Sequence, residues 1–436
     1  MTKNKILQNS GWIILSVLSF APVLLWLLEP SLIQKFSSLS QTTTSLGDIA
    51  GLCGMAMFSL VMILSARAKF FEKFFNGVNE SYTAHHFFGG LAFVFLLFHP
   101  ILLAYQYALT SFNSAALFLL PSNYWAQNFG TLGLFVMILA LLVTFYSKLK
   151  YQVWKFTHKF IGLAFIFAFL HTFLIGADVA SNIWLKIYLF ILGALAIITY
   201  FYRTLFADYL VRVFNYKVKG VKQYDDKIWE ISFAPQNRAI EFAPGQFGFI
   251  KLLSNEVTKE IHPFSFSSAN GNPLKIAIKE LGDYTNKIGK LKEGDTALVE
   301  GPFGAFNFRS FKNKKQVWIA GGIGITPFLS MLRSVTKEDS GYEIDLYYSV
   351  KDENSLAFKD EMDEIFQKYK NVNITYWVTS KDKFLTAEAI AAKISDLKER
   401  DIMICGPSIM MNALKGQLMF MQITKDQIHS EEFNLY

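Results

Sequence analysis

HHFFGGLAFVFLLFHP, residues 85–100, decides how the first half of this chain is read. The stretch is apolar enough to enter a bilayer, yet histidines stand at its start and next to its end. Ionisable residues inside a membrane are costly and are kept for function. Fourteen residues separate His85 from His99, and thirteen separate His158 from His171 in a second apolar run. Each step climbs roughly 20 Å along a helix, within a hydrocarbon core about 30 Å thick. Two such helices side by side offer one pair of imidazoles towards each membrane face. Paired imidazoles without carboxylate or thiolate suit a haem iron held from both sides. Zinc would need its ligands gathered in one coordination sphere, which this spread does not offer. His85, His99, His158 and His171 are therefore the candidate metal ligands, for two b-type haems. A step of 14 returns to within about 40° of the same helix face, which favours His85 over His86. A step of 13 misses by about 140°, so the second helix needs a bend or a sideways offset of the two sites.

Working outward, six apolar runs reach or approach the length of a membrane span, about 20 residues. They cover residues 12–28, 46–66, 85–107, 129–146, 158–177 and 184–202, and the first contains Pro22. It has no clear small-residue cleavage site and is read as retained rather than as a secretory signal. Lys3 and Lys5, then Arg67, Lys69 and Lys73, then Lys148, Lys150 and Lys155, then Arg203 and Arg212 alternate with loops poor in basic residues. Positive residues stay inside, so both termini are expected in the cytoplasm of a plasma-membrane protein. The net charge of +7 is read as these loops, with no nucleic-acid partner. Cys53 and Cys405 fall in different halves, which excludes a disulfide framework.

Beyond about residue 208 the composition becomes that of an ordinary globular protein. PGQFGFIKL (244–252), HPFSFSSA (262–269), KELGDYTNKI (279–288) and EGPFGAF (300–306) read as short strands punctuated by glycine and proline. That pattern predicts an antiparallel β-barrel. QVWIAGGIGITPFLSMLRSV (316–335) then runs strand, glycine loop, helix. Gly321, Gly322 and Gly324 let a backbone approach a pyrophosphate at a helix N-terminus. Strands at 344–350, 372–379 and 402–405 alternate with helices at 357–369, 386–394 and 408–421. The whole reads as a multidomain membrane protein: a six-helix transmembrane haem bundle (1–208), an antiparallel β-barrel (209–312), flavin-binding by the resemblance given next, and an α/β nucleotide-binding domain (313–436).

With these motifs in order, the chain resembles the ferredoxin-reductase superfamily and, within it, the NADPH oxidase and ferric reductase family. The resemblance covers nearly the whole chain. It implies FAD at HPFSFSSA, with His262 and Pro263 near the polar groups of the flavin, Phe264 beside the isoalloxazine and Ser265 at its reactive edge. It implies that the segment from Lys279 through Gly282 to Thr285 binds the flavin phosphates. GGIGITP, including Thr326 and Pro327, resembles the NADPH pyrophosphate loop. CGP, residues Cys405, Gly406 and Pro407, resembles the border of the nicotinamide site. EEFNLY resembles the C-terminal aromatic segment, with Phe433 over the flavin ring. Ser265, Cys405 and Phe433 are the candidate catalytic residues.

Ser349 and Lys351, at the end of the second nucleotide strand, favour a 2′-phosphate and hence NADPH, although Asp352 and Glu353 follow. The resemblance implies electron transfer from NADPH through FAD and two haems to an outer acceptor. In the family that the chain resembles, oxidases tend to have histidine steps of 14 then 13, the steps found here, so the resemblance implies an oxidase making superoxide from oxygen. The segment LAYQYALTSFNSAALFLLPSNYW (103–125) has no lysine, arginine or histidine. Reduction of a ferric or cupric chelate, or delivery to a partner protein outside, therefore stays open. Without an EF-hand pattern or an N-terminal extension, activity is expected to need no calcium and no regulatory subunit.

Overall fold

The computed structural model describes residues 10–28, 32–75, 77–146, 151–176, 178–204, 206–271, 273–311 and 313–432. Contacts divide the chain into two compact units, Met1–Val211 and Arg212–Tyr436.

Among the described residues of the first unit, six helices are long and apolar enough to cross a membrane. They are α1 (Ser10–Leu27), α2 (Leu39–Leu64), α3 (Val78–Ala108), α4 (Trp125–Tyr146), α5 (Gln152–Leu174) and α6 (Ile183–Thr204). With lipid outside, such helices associate through close packing of small residues. Gly47, Gly51 and Gly54 give α2 that surface, and the side chains of Leu103, His99 and Leu96 of α3 lie directly against them. α2 is the most enclosed of the six. In the second histidine helix, α5, regular helix breaks at Lys159, directly after His158. Tighter bonds span the break, from Lys159 N to Phe156 O (3.2 Å) and from Gly162 N to Lys159 O (3.1 Å). A 3₁₀ turn advances about 120° per residue against 100° in an α-helix, which redirects His158 relative to His171. The Tyr200 ring of α6 lies against Gly162, and its hydroxyl donates to the Lys159 carbonyl at 3.1 Å.

In the second unit, β1 (Phe214–Gln223), β2 (Ile228–Pro235), β3 (Phe247–Leu253), β4 (Ile261–Ser265), β5 (Leu274–Lys279) and β6 (Thr296–Phe303) form one antiparallel sheet. Its order is β4-β3-β6-β1-β2-β5. The expected barrel is thus a sheet whose edges β4 and β5 meet through a single bridge, Phe266 to Ile276, and the bond from Ser267 N to Lys275 O.

A parallel sheet follows, in the order β11-β10-β7-β8-β9. Its strands are β7 (Lys315–Gly321), β8 (Glu343–Val350), β9 (Val372–Val378), β10 (Asp401–Cys405) and β11 (Ile428–Glu431). The helices α7 (Ile325–Arg333), α8 (Lys359–Lys368) and α9 (Ser408–Phe420) cover it. The fifth strand, β11, was not expected from the sequence. β7, β10 and the second half of β8 are buried on both faces, which is why they read as largely apolar runs.

Near the N-terminal ends of these strands, the Arg400 side chain is 6% exposed and meets Glu343, Asp345 (2.7 Å) and Asp396 (2.7 Å). Removing one partner of a buried cluster strands the others. Arg400→Met is expected to cost about 3 kcal/mol, read as a lower denaturant midpoint. Lys315 and Arg400 hold the Asp396 carboxyl down to about 2. Its contribution is complete above the ordinary aspartate value near 4 and is lost as pH falls through about 2. Acid unfolding should therefore begin at higher pH in the variant than in wild type.

Candidate functional site

In the membrane unit, α3 runs antiparallel to α2, and its two histidines meet α2 in the same way. His85 Nδ1 lies 3.1 Å from the Val61 carbonyl, and His99 Nδ1 lies 2.7 Å from the Gly47 carbonyl. Val61 and Gly47 are themselves fourteen residues apart, the same step as the histidines. A carbonyl can only accept, so Nδ1 of each ring must carry the proton and Nε2 is left as a ligand. His171 of α5 repeats the device, with Nδ1 2.8 Å from the Ala126 carbonyl of α4. Such bonds fix the tautomer and ring direction of metal-ligating histidines. His158 differs, since its buried Nδ1 has no hydrogen-bond partner and its ring stacks on Trp154 at 5.4 Å. It lies within interaction range of both His85 and His86.

The structure brings His99 and His171 together, with ring centroids 6.2 Å apart. Metal–imidazole bonds of about 2 Å, plus roughly 1 Å from each nitrogen to its ring centre, put two rings on one metal about 6 Å apart. Glycine makes room behind each ring. A Cβ on Gly51 would stand 2.7 Å from His99 Nδ1, and one on Gly130 would stand 2.9 Å from His171 Nδ1. Beside the pair is a cavity of about 660 Å³, lined by apolar residues including Leu52, Met55, Leu96 and Met137. That is the size and lining of a cofactor pocket. A planar, apolar group centred on one metal fits this donor set. Among the described residues, no cluster of three or more His, Cys, Asp and Glu could hold a metal.

Sequence reasoning did not connect Asp178 to this cavity, which it lines. Its carboxylate accepts from Lys35 (2.9 Å) and from the Trp26 indole, so an ion pair reaches the cavity wall from elements remote in sequence.

In the second unit, β4 carries the flavin motif. Ser265 pairs with Phe247, and Phe264 with Gly248. His262 Nε2 lies 2.9 Å from Glu260, and its ring lies on Tyr284, with centroids 4.0 Å apart. The Ser265 and Tyr284 hydroxyls are both buried without a partner. An unsatisfied buried hydroxyl costs about 1–3 kcal/mol, so these two suit a bound polar ligand that completes them. Burial and nearby Glu260 push the Tyr284 phenol well up, keeping it a neutral donor. Thr285 Oγ1 accepts from Leu281 N (2.8 Å) and Gly282 N (3.0 Å), shaping the turn that follows Lys279.

The nucleotide motifs converge at the C-terminal ends of the parallel strands. A Cβ on Gly324 would stand 2.3 Å from the Cys405 carbonyl oxygen, so GGIGITP and CGP abut backbone to backbone. Gly322 has φ +53°, a left-handed conformation that glycine adopts without strain. Thr326 donates to Ile323 O at 2.7 Å, and Pro327 lies in the first turn of α7. Gly406 and Pro407 lead into α9. Ser349 pairs with Gly321 across β8 and β7. Lys351 is exposed beyond it. Asp352 is engaged in capping Ser355 (3.1 Å to N) and Glu353 in pairing Lys381 (2.6 Å).

Cys405 is fully buried, and burial with the adjacent Glu431 pushes its thiol well above the usual value. It is therefore a neutral wall rather than a thiolate nucleophile. Glu431, buried and in register with Cys405, escaped the sequence reading. Phe433 lies outside the described residues.

Residues 50–169 match the family described as "Ferric reductase like transmembrane component", 213–307 an "FAD-binding domain" and 318–416 an "Oxidoreductase NAD-binding domain". Ferric reductase transmembrane component 6 of Saccharomyces cerevisiae is 24% identical over 390 residues, covering 85% of this chain and 52% of that protein. NADH-cytochrome b5 reductase 2-A of Vanderwaltozyma polyspora is 31% identical, covering 38% of this chain and 60% of that protein. NADH-cytochrome b5 reductase 1 of Dictyostelium discoideum is 26% identical, covering 48% and 77%. The chain thus spans about half the length of the ferric reductase it matches. Among the described residues, six apolar helices precede the FAD- and NAD-binding domains, and this order of domains fits a multi-pass membrane oxidoreductase of the NADPH oxidase and ferric reductase type.

Proposed function

We propose that this protein moves electrons from cytoplasmic NADPH to an acceptor outside the plasma membrane, with oxygen reduced to superoxide. The observation that carries the reading is the His99–His171 pair, 6.2 Å apart with each Nδ1 on a carbonyl. It supports a metal held from both sides, with His99 and His171 holding the outer haem and His85 and His158 the inner one. When bound, FAD accepts hydride and the haems pass single electrons. The chain itself supplies orientation. The Val61, Gly47 and Ala126 carbonyls keep Nε2 of three histidines unprotonated and aimed. Ser265 and Tyr284 offer hydroxyls to the flavin, and neutral Cys405 borders the nicotinamide. Phe433 keeps its proposed place over the flavin.

NADPH rather than NADH is supported by Lys351 beyond Ser349 while Asp352 and Glu353 are engaged elsewhere. One NADPH and two oxygens give NADP⁺, one proton and two superoxides. The positive residues of alternate loops support cytoplasmic termini.

The test is cytochrome c reduction by pure, FAD-supplemented protein with NADPH in air. Superoxide dismutase is expected to abolish most of it. If the dismutase changes nothing, oxygen is not the acceptor. A second reading, ferric or cupric chelate reduction, is favoured by the match over 85% of the chain to a yeast ferric reductase component. It requires chelate reduction to outrun that of oxygen. If every small acceptor turns over slowly, an external partner protein is indicated.

A further inference from the structure

α7 begins at the glycine loop and ends nine residues later at Arg333, roughly 13 Å away along its axis. Arg333 Nη1 donates to Glu230 Oε1 (2.6 Å) and to the Ser267 carbonyl (2.9 Å). Its Nε and Nη2 grip both oxygens of Glu361 on α8, at 2.6 and 2.7 Å. Glu230, on β2, is 5% exposed and also accepts from Ser267 Oγ (2.9 Å) and Lys275 Nζ (3.4 Å). One turn back along α7, Ser330 Oγ donates to Ser268 O at 2.6 Å. The end of α7 is therefore tied to Ser267 and Ser268, the two serines near the end of the motif HPFSFSSA. Beside this junction Phe358, 3% exposed, holds φ +64° with its ring 4.1 Å from that of Tyr224. A bulky residue keeps that conformation only where its surroundings over-determine it.

A buried ion pair is weak evidence for stability, since well-packed apolar residues often do as well. What the network fixes is geometry: the fork of arginine sets direction as well as charge, and lysine cannot copy it. We propose that Arg333 is a positioning residue that makes α7 a strut, fixing where the nicotinamide lies relative to the flavin. This rests on the reading that β4 holds the flavin and that the glycine loop holds the dinucleotide. A misplacement of about 1 Å can cost roughly 100-fold in rate.

The experiment is anaerobic stopped-flow reduction of the flavin by NADPH in the full-length, FAD-loaded protein. In Arg333→Met the hydride-transfer rate is expected to fall at least about tenfold, with an intermediate fall in Arg333→Lys. KM for NADPH and FAD content should stay within about twofold, while the long-wavelength absorbance of nicotinamide stacked on flavin weakens. Amide hydrogen exchange across residues 265–275 should rise. A rate within about twofold of wild type overturns the proposal, as does a loss that only tracks lost FAD or raised KM. If Arg333→Met does not fold, the isosteric Glu230→Gln decides, with at least a threefold fall expected and an unchanged rate overturning the proposal. Because no outer acceptor is present in this anaerobic assay, the acceptor assignment does not affect it. Should wild type itself fail to reduce its flavin with NADPH, the functional reading and the inference fall together. Should only the variants match wild type, the inference falls alone.

Discussion

His171→Ala is expected to leave one haem per chain, against the two that the proposed function gives wild type. The Nε2 of His171 is one of the two ligands proposed for the outer iron, and its ring is held by the Ala126 carbonyl on one side and Gly130 behind. Loss of a mere outer-shell partner costs a metal site about 10–100-fold, so loss of the ligand itself should reduce electron delivery to the outer face by more than that. NADPH-dependent reduction of ferricyanide, which takes electrons directly from flavin, should be unchanged. Haem stoichiometry by pyridine haemochrome and the two activities together check this. Two haems in the variant would remove His171 from the assignment. Gly130→Val should act in the same direction through the ring it displaces.

The second large effect belongs to the nucleotide end. Gly324→Val places a Cβ 2.3 Å from the Cys405 carbonyl oxygen and 2.6 Å from its carbon. Neither atom is the end of a flexible side chain, so the two loops must part. KM for NADPH is expected to rise more than about tenfold, with flavin reduction slowed by up to roughly 100-fold. The absorbance spectrum of the membrane half should not change. Gly416→Ala, in open space on α9, is the control and should leave both parameters alone. A normal NADPH titration in the valine variant would show that the glycine loop and CGP need not touch.

How much of this was legible beforehand follows from the range of each interaction. The spans, the histidine steps and the strand–glycine–helix pattern are local, and the structure carries all three. The acceptors that orient His85, His99 and His171 are main-chain carbonyls, and no residue type announces them. Glu230 meets Arg333 across 103 positions, and Lys35 meets Asp178 across 143. Both pairs exist only because of the fold. Short strands broken by glycine and proline predict an antiparallel sheet, but not whether its edges join, and here a single bridge spans them. The phase of His158 and His171 called for a bend or a sideways offset without saying which, and the break at Lys159 lies against Tyr200, which belongs to α6.

The carbonyl anchors bear on which sequence changes the membrane half can absorb. Val61 and Ala126 contribute only main-chain oxygens to the histidines, so drift in their side chains leaves the anchors in place. The spacing between anchors is a different matter. One residue inserted between Gly47 and Val61 would turn one anchor about 100° away from the other. Homologous sequences should therefore be free in the letters of α2 and strict in its length, with deletions and insertions purged where substitutions are allowed.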